Sequence, residues 1–216
     1  MKASVSTTRR TEPLVSVVIP THNRKLKLVR CLSSVLSSSY PNIEVVVVDD
    51  CSTDGTIAEV EESFPDVKII ANAKRSLAAH SRNMGLAEAR GELVFFVDDD
   101  NIIHTNAITE LVKAVTSDPT IGVAGPVMYY AGSGKRIWCA GVRRSYLTSK
   151  TKFVGRNEVD VQQFKTPLES DDFPNAFMVQ RSVFNKIGLF NETEFPMAYD
   201  EADFGRRRKR LITGSG

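Results

Sequence analysis

Two runs of acidic side chains, each directly after a stretch of apolar residues, carry the strongest chemical signal in this sequence. Asp49-Asp50 follows EVVVV (44–48), and Asp98-Asp99-Asp100 follows LVFFV (93–97). Such continuous apolar runs read as buried strands, so the acids sit at strand ends rather than in a solvated turn. In an open parallel sheet the carboxyl ends of the strands share one edge, and ligands bind in the crevice beside it. Clusters about fifty residues apart can therefore belong to one site. Three adjacent carboxylates repel one another in a low-dielectric crevice and call for a cation. Oxygen ligands suit a hard ion, Mg²⁺ or Mn²⁺, which keeps waters and takes diphosphate oxygens as further ligands. Taken alone, a DxD after a strand equally fits a dehalogenase-type phosphatase with Asp98 as nucleophile. An acidic pair after VVVV equally fits a response-regulator receiver.

The elements that must position these acids follow from periodicity. Val15–Ile19 reads as a strand ended by Pro20, Glu44–Val48 as a second, Val67–Ile70 as a third and Leu93–Val97 as a fourth. Helical spacing appears over 25–38, after Gly55, and again from Ile108. Ser76 is a plausible N-cap for a helix running to Arg90. Strand–helix alternation with short connections predicts an α/β fold, a mostly parallel central sheet covered by helices on both faces. Beyond about residue 122 the pattern loosens. Gly122–Tyr130 and Ile137–Val142 read as strands around a GSGK turn, residues 143–171 as a long loop, Phe177–Val179 as a strand, Ser182–Ile187 as a short helix, and Ala202 onward as another. The reading is a flexible tail (1–13) and one domain (14–216), with a nucleotide half (14–121) and a less regular half (122–210).

Composition narrows the classes. With 42% apolar and 25% charged residues the chain can build a sizeable core, and a net charge of +2 gives no reason to expect nucleic acid. The basic run RRRKR (206–210) is either a solvated face or a contact with an anionic membrane surface. Three widely spaced cysteines without a CxxC pair speak against a disulfide framework or structural zinc and suit a reducing, cytoplasmic compartment. No apolar run is long enough to cross a bilayer.

Five segments, in order, carry a resemblance: VSVVIPTHNR (15–24), IEVVVVDDCSTDGT (43–56), RNMGLAEARGELVFFVDDDN (82–101), NAFMVQRSVFNKIGLFNE (175–192) and YDEADFGRR (199–207). Together they resemble the family 2 glycosyltransferases, inverting enzymes of the GT-A fold that use nucleotide sugars. The resemblance implies a metal-dependent transfer from a UDP- or GDP-sugar to a hydroxyl of a glycan, lipid-linked or polysaccharide acceptor. It implies that Pro20, Thr21, His22 and Asn23 cup the nucleotide and that Asp49 or Asp50 holds the base or ribose. Arg82 would approach the ribose or diphosphate. Asp98 and Asp100 are the DxD pair, Asp100 the direct metal ligand and Asp98 nearer the ribose or sugar, with Asp99 between them on the donor side. Glu201 falls at the catalytic-base position, but the string Asp200-Glu201-Ala202-Asp203 departs from the family's ED-x-D and leaves the role between Glu201 and Asp200. Arg207 matches a recurrent arginine that orients rather than reacts. Asn175, Ala176 and Phe177 would line the acceptor side, with Asp171 and Asp172 just before them. The family usually continues beyond the point where this sequence stops, so the expectation is a fragment lacking a C-terminal segment.

Other residues remain open between chemistry and packing. Trp138 is either a sugar-stacking platform or core, His80 reads as a packed or surface residue, and His104 lies close in sequence to the acidic cluster. The phosphatase alternative wants Thr or Ser soon after DxD, where Asn101 and Ile102 stand. A pyrophosphorylase would open with a Gly-rich loop, and IPTHNR (19–24) has no glycine. A non-catalytic relative should have lost the DxD or the later acid, and both are present.

Overall fold

The computed structural model describes residues 12–145, 147–148 and 150–213. Most of the expected tail (1–13) lies outside the described residues, and the basic run is described at side-chain level only through Arg208.

A six-stranded sheet forms the centre, in the order β3-β2-β1-β4-β10-β5. Strands β1 (Val15–Thr21), β2 (Ile43–Asp49), β3 (Lys68–Ala71) and β4 (Leu93–Val97) are mutually parallel. Strand β10 (Ala176–Gln180) runs antiparallel between β4 and β5 (Val123–Ala124). The runs of Val, Ile and Phe are continuous because both faces are covered, and the two-residue period sorts them. Val15, Val17, Ile19, Phe95 and Val97 face α1 (Lys25–Leu36) and α4 (Ala107–Ser117). Val18, Val94, Phe96, Phe177 and Val179 face α3 (Leu77–Glu88), α5 (Arg181–Ile187) and α6 (Asp200–Thr213). On that second face Phe96, Phe177, Phe184, Phe190 and Phe204 form an aromatic cluster with ring centroids 5.0–6.2 Å apart.

Several expectations need correction. Pro20 does not end β1: the strand continues through it to Thr21, paired with β2. Strand β4 pairs with β1 only as far as Val18, so the proline lies past the doubly bonded stretch, where a missing N–H is tolerated. Gly122–Tyr130 is broken at Gly125-Pro126 into β5 and β6 (Met128–Tyr129), the latter pairing with β7 (Ile137–Cys139). The long loop 143–171 contains most of a hairpin, β8 (Val142–Ser145) with β9 (Lys150–Phe153). The hairpin was hidden because its alternate positions are Arg, Lys and Thr rather than apolar.

The cysteines are free, Cys31 buried within the first core. Among the described residues no helix is long and apolar enough to cross a membrane.

Candidate active site at the carboxyl edge of the sheet

The ends of β1, β2 and β4 converge, and the loops after β1 and β2 are tied together. The Asp50 main-chain N–H donates to the Thr21 carbonyl (2.8 Å), and the Asn23 N–H to Ser52 Oγ (2.8 Å). His22 Nδ1 lies 2.7 Å from the Asp50 carbonyl. A carbonyl only accepts, so the proton sits on Nδ1, and Nε2 accepts from Asn23 Nδ2 at 3.2 Å. Half-buried His22 and exposed Asn23 are thus fixed. Five of the seven described non-glycine residues with positive φ lie in loops of this edge or beside it: Asn23, Cys51, Leu77, Asn175 and Tyr199. Unfavourable backbone conformations concentrate where a surrounding structure holds functional groups in place.

The first acidic pair is bound by neutral donors. Asp50 is buried, its Oδ1 accepting from Ser76 N (2.7 Å) and Asn72 Nδ2 (2.9 Å), and its Oδ2 from Leu77 N (2.8 Å). It therefore does what was expected of Ser76: Asp50 caps α3, whereas Ser76 Oγ turns back to the Lys74 carbonyl. Although burial opposes ionisation, these donors hold the Asp50 pKa below its ordinary value. Asp49, 1% exposed, accepts from Ser52 N through Oδ2 (2.8 Å), while its buried Oδ1 has no partner.

The second cluster is bound by cations. Asp99 points inward to Thr21 Oγ1 (2.7 Å) and Arg24 Nη1 (3.0 Å). Asp100 is half-exposed and accepts from Arg24 (3.1 Å) and Lys27 (3.4 Å). Asp98 Oδ1 accepts from Arg82 Nη2 (2.9 Å), and its main-chain N–H donates to the Asn175 carbonyl (2.9 Å). Burial pushes the pKa values of Asp98 and Asp99 up, against the pull of Arg82 on the former and of Thr21 and Arg24 on the latter.

Arg82 is the hub. Its side chain is 3% exposed and reaches the carboxyl edge because α3 packs close to the sheet at Gly85, where a Cβ would fall 2.3 Å from Val18 Cγ1. Besides Asp98, Arg82 donates to Asp200 through Nη1 and to Glu201 through Nη2 (2.7 Å). Three carboxylates from two distant segments thus share one guanidinium. Asp200 is 1% exposed, with one oxygen lacking a partner. Glu201 keeps 17% of its side chain accessible. Burial pushes the Glu201 pKa up to about 8; Arg82 opposes the shift, and Asp200, Asp98 and Asp172 add to it.

Several expected residues lie elsewhere. Phe177 is 1% exposed and stacks on Phe96 at 5.2 Å, so it packs the core instead of lining an open acceptor face, and Ala176 is buried beside it. Trp138 on β7 meets Phe153 at 5.5 Å. His80 contacts Glu192, and His104 accepts from the Asn106 N–H. Arg207 pairs with Asp203 and donates to the carbonyls of Ile187 and Leu189. A separate groove of about 800 Å³ runs beside α4 and residues 164–176, lined by Leu111, Met128, Phe173 and Arg208, with Asp172 and Ala176 at its edge. Sequence reasoning missed Arg24 and Lys27 as partners of the acids, although Arg24 closes the quoted VSVVIPTHNR segment.

Residues 16–188, which carry the acidic strand ends and Arg82 but not the later acids, match a known family model. The description is glycosyl transferase family 2. The chain belongs to glycosyl transferase family 2. Membership removes the dehalogenase-type alternative. The match ends before Asp200 and Glu201, whose roles must rest on geometry. Among curated relatives, the glycosyltransferase GlyG of Streptococcus pneumoniae is 27% identical over 89% of this chain and 64% of its own length. The chain therefore spans less than two thirds of that relative. Among solved structures, a mannosyltransferase from Pyrobaculum calidifontis in complex with GDP-Man and Mn²⁺ has a TM-score of 0.68 at 22% identity, covering 94% of this chain and 53% of that one. Staphylococcus aureus TarS (1–349) in complex with UDP has a TM-score of 0.63 at 23% identity, covering 90% and 54%. These likenesses establish the GT-A type of fold.

Proposed function

We propose that residues 14–216 form the catalytic domain of an inverting glycosyltransferase that moves a sugar from a UDP- or GDP-sugar to a hydroxyl of a glycan or lipid-linked acceptor, as in polysaccharide assembly at the cytoplasmic face of a membrane. The observation that carries this reading is the bridge through Arg82. It ties Asp98, on the donor side, to Glu201, the one acid of the pair with an accessible carboxylate.

Glu201 is the base. Inverting transfer needs a carboxylate within reach of the acceptor hydroxyl, with a pKa near the working pH. Glu201 has the exposure and the raised pKa, whereas Asp200 is enclosed and serves to hold Arg82. Once ionised, Glu201 takes the hydroxyl proton as the oxygen attacks the anomeric carbon and the nucleoside diphosphate departs. Pro20, Thr21, His22, Asn23 and Asp49 form the nucleotide cradle. The unpartnered Oδ1 of Asp49 is available to a base or ribose donor, and Asp50 shapes the cradle through α3.

The donor set also fits a hard divalent ion. Asp98, Asp99, Asp100, Asp200 and Glu201 supply five carboxylates against three cations, Arg24, Lys27 and Arg82. Asp100 is the most open of the DxD acids. Mg²⁺ and Mn²⁺ are bound through one or two carboxylates plus substrate phosphate oxygens. Asp100, with Asp98 beside it, would hold the ion, which would neutralise charge growing on the departing diphosphate.

Thermal-shift measurements with UDP and GDP, with and without Mn²⁺, test the donor side; metal-dependent stabilisation by one of them is expected. Glu201→Gln should retain that stabilisation and lose transfer by about 10²–10⁴-fold. Retained turnover would move the base to Asp200, and nucleotide binding without any turnover in the unaltered chain would make it a non-catalytic relative.

A further inference from the structure

Tyr199, immediately before Asp200, combines features that packing does not account for. Its backbone is left-handed (φ 67°), a conformation that bulky side chains adopt only where their surroundings hold it. Its carbonyl accepts from Asp203 N (2.9 Å), so it begins α6 and its position is fixed to that of Glu201. Yet its side chain is 63% exposed. The guanidinium of Arg144, reaching across from β8, lies 5.7 Å from the ring centroid.

Arg144 is itself held from several directions. Its main-chain N–H donates to Asp171 Oδ2 (2.7 Å), Nη2 to the buried Asp172, and Nη1 to Thr151 Oγ1 (3.2 Å). Its buried Nε has no partner. A hydrogen-bonded guanidinium of this kind fixes the plane of an aromatic ring stacked on it. Tyr199 lies two residues before Glu201 at the start of α6, so the stacked pair stands beside that acid.

We propose that Tyr199, backed by Arg144, is a stacking platform for a pyranose ring of the acceptor next to Glu201. The C–H face of a pyranose is apolar and flat enough to pack on an aromatic ring, while its hydroxyls stay directed to solvent and to the base. The proposal rests on the glycosyltransferase reading and deepens it by naming where the acceptor binds.

The test is saturation-transfer NMR on the intact chain with methyl glycosides of glucose, galactose, mannose and N-acetylglucosamine, in parallel with the nucleotide thermal shifts. At least one glycoside should show transfer, retained in Tyr199→Phe and weakened about tenfold or more in Tyr199→Ala. Tyr199→Gly guards against misfolding: glycine relieves the left-handed strain, so its melting temperature should stay at or above that of the unaltered chain while glycoside binding is lost. No glycoside signal from the unaltered chain, undiminished signal in Tyr199→Ala, or equal losses in the Phe and Ala variants would each overturn the platform. Nucleotide binding without glycoside binding removes the platform alone. Glycoside binding without nucleotide binding removes the glycosyltransferase reading and leaves the platform standing.

Discussion

The Asp49-Asp50 pair and the Asp98-Asp99-Asp100 triplet look alike in sequence, each closing an apolar strand at the same sheet edge, but the structure treats them differently. The pair is surrounded mainly by neutral donors: the amides of Ser52, Ser76 and Leu77 and the side chain of Asn72. The triplet is held largely by cations, Arg24, Lys27 and Arg82. Main-chain amides cannot leave, so a carboxylate bound by them is part of the scaffold. A half-exposed Lys or Arg is a weaker and more mobile partner, and another cation or a phosphate can replace it. On the proposed reading, partner type separates Asp50, fully bound by neutral donors and shaping the site, from the triplet acids that would bind the donor and its ion, with the free Oδ1 of Asp49 left to the nucleotide.

The sharpest way to break this contrast is at Arg82, the buried one of these three cations. Arg82→Met leaves the enclosed Asp200, the largely enclosed Glu201 and the partly exposed Asp98 without their counter-charge, and removing one side of a buried ion pair costs about 3–5 kcal/mol. Urea unfolding at pH 8 should show that loss, shrinking as the pH falls and the carboxylates take up protons. A loss below about 1 kcal/mol at pH 8 would mean that the acids do not depend on Arg82.

The same contrast marks what could be read from the residues. The strands before both clusters were legible because both sheet faces are covered and the apolar runs are continuous. The left half of the sheet and the DxD position followed from that. Which acids are fixed was not legible, since Asp50 caps a helix beginning 27 residues later, and no local pattern encodes that bond. Arg82 was expected near the donor, but its partners Asp200 and Glu201 lie 118 and 119 residues away, so only the fold brings them together. The proposed choice of Glu201 over Asp200 as base rests on burial, 1% for Asp200 against 17% for the Glu201 side chain. Phe177 was misplaced on the acceptor side because its segment does border the site, through the Asn175 carbonyl, while the two-residue period turns Phe177 itself into the core.

Glu201 offers a second way to sharpen the contrast, since it belongs to the cation-held group but retains contact with solvent. Burial raises its folded pKa from the ordinary 4.5 to about 8. The folded state therefore binds a proton that the unfolded state has released between those values, and stability falls as pH rises across that window. Glu201→Gln removes this term, so the variant should gain on the unaltered chain by a few kcal/mol as pH rises from 5 to 9. Transfer by the unaltered chain should rise through pH 8 as the base ionises. A stability difference that stays constant over the range would place the Glu201 pKa near its ordinary value and leave the transfer limb to another group.

The smallest effect gives the most direct test of the comparison, because it sets one acid from each cluster side by side. Asp50→Asn keeps the shape but replaces one accepting oxygen by an amide that cannot receive the Ser76 or Leu77 N–H, at a cost of about 1 kcal/mol for the lost cap. Its melting temperature should drop while nucleoside diphosphate binding with Mn²⁺ stays near that of the unaltered chain. Asp100→Asn should do the reverse. Its pairs with Arg24 and Lys27 are solvent-screened, so stability should change by no more than about 0.5 kcal/mol. Metal-dependent nucleotide binding should weaken by about tenfold or more, some 1.4 kcal/mol. If Asp100→Asn lowers stability without touching nucleotide binding, the half-exposed cations are scaffold after all, and partner type would not distinguish the two clusters.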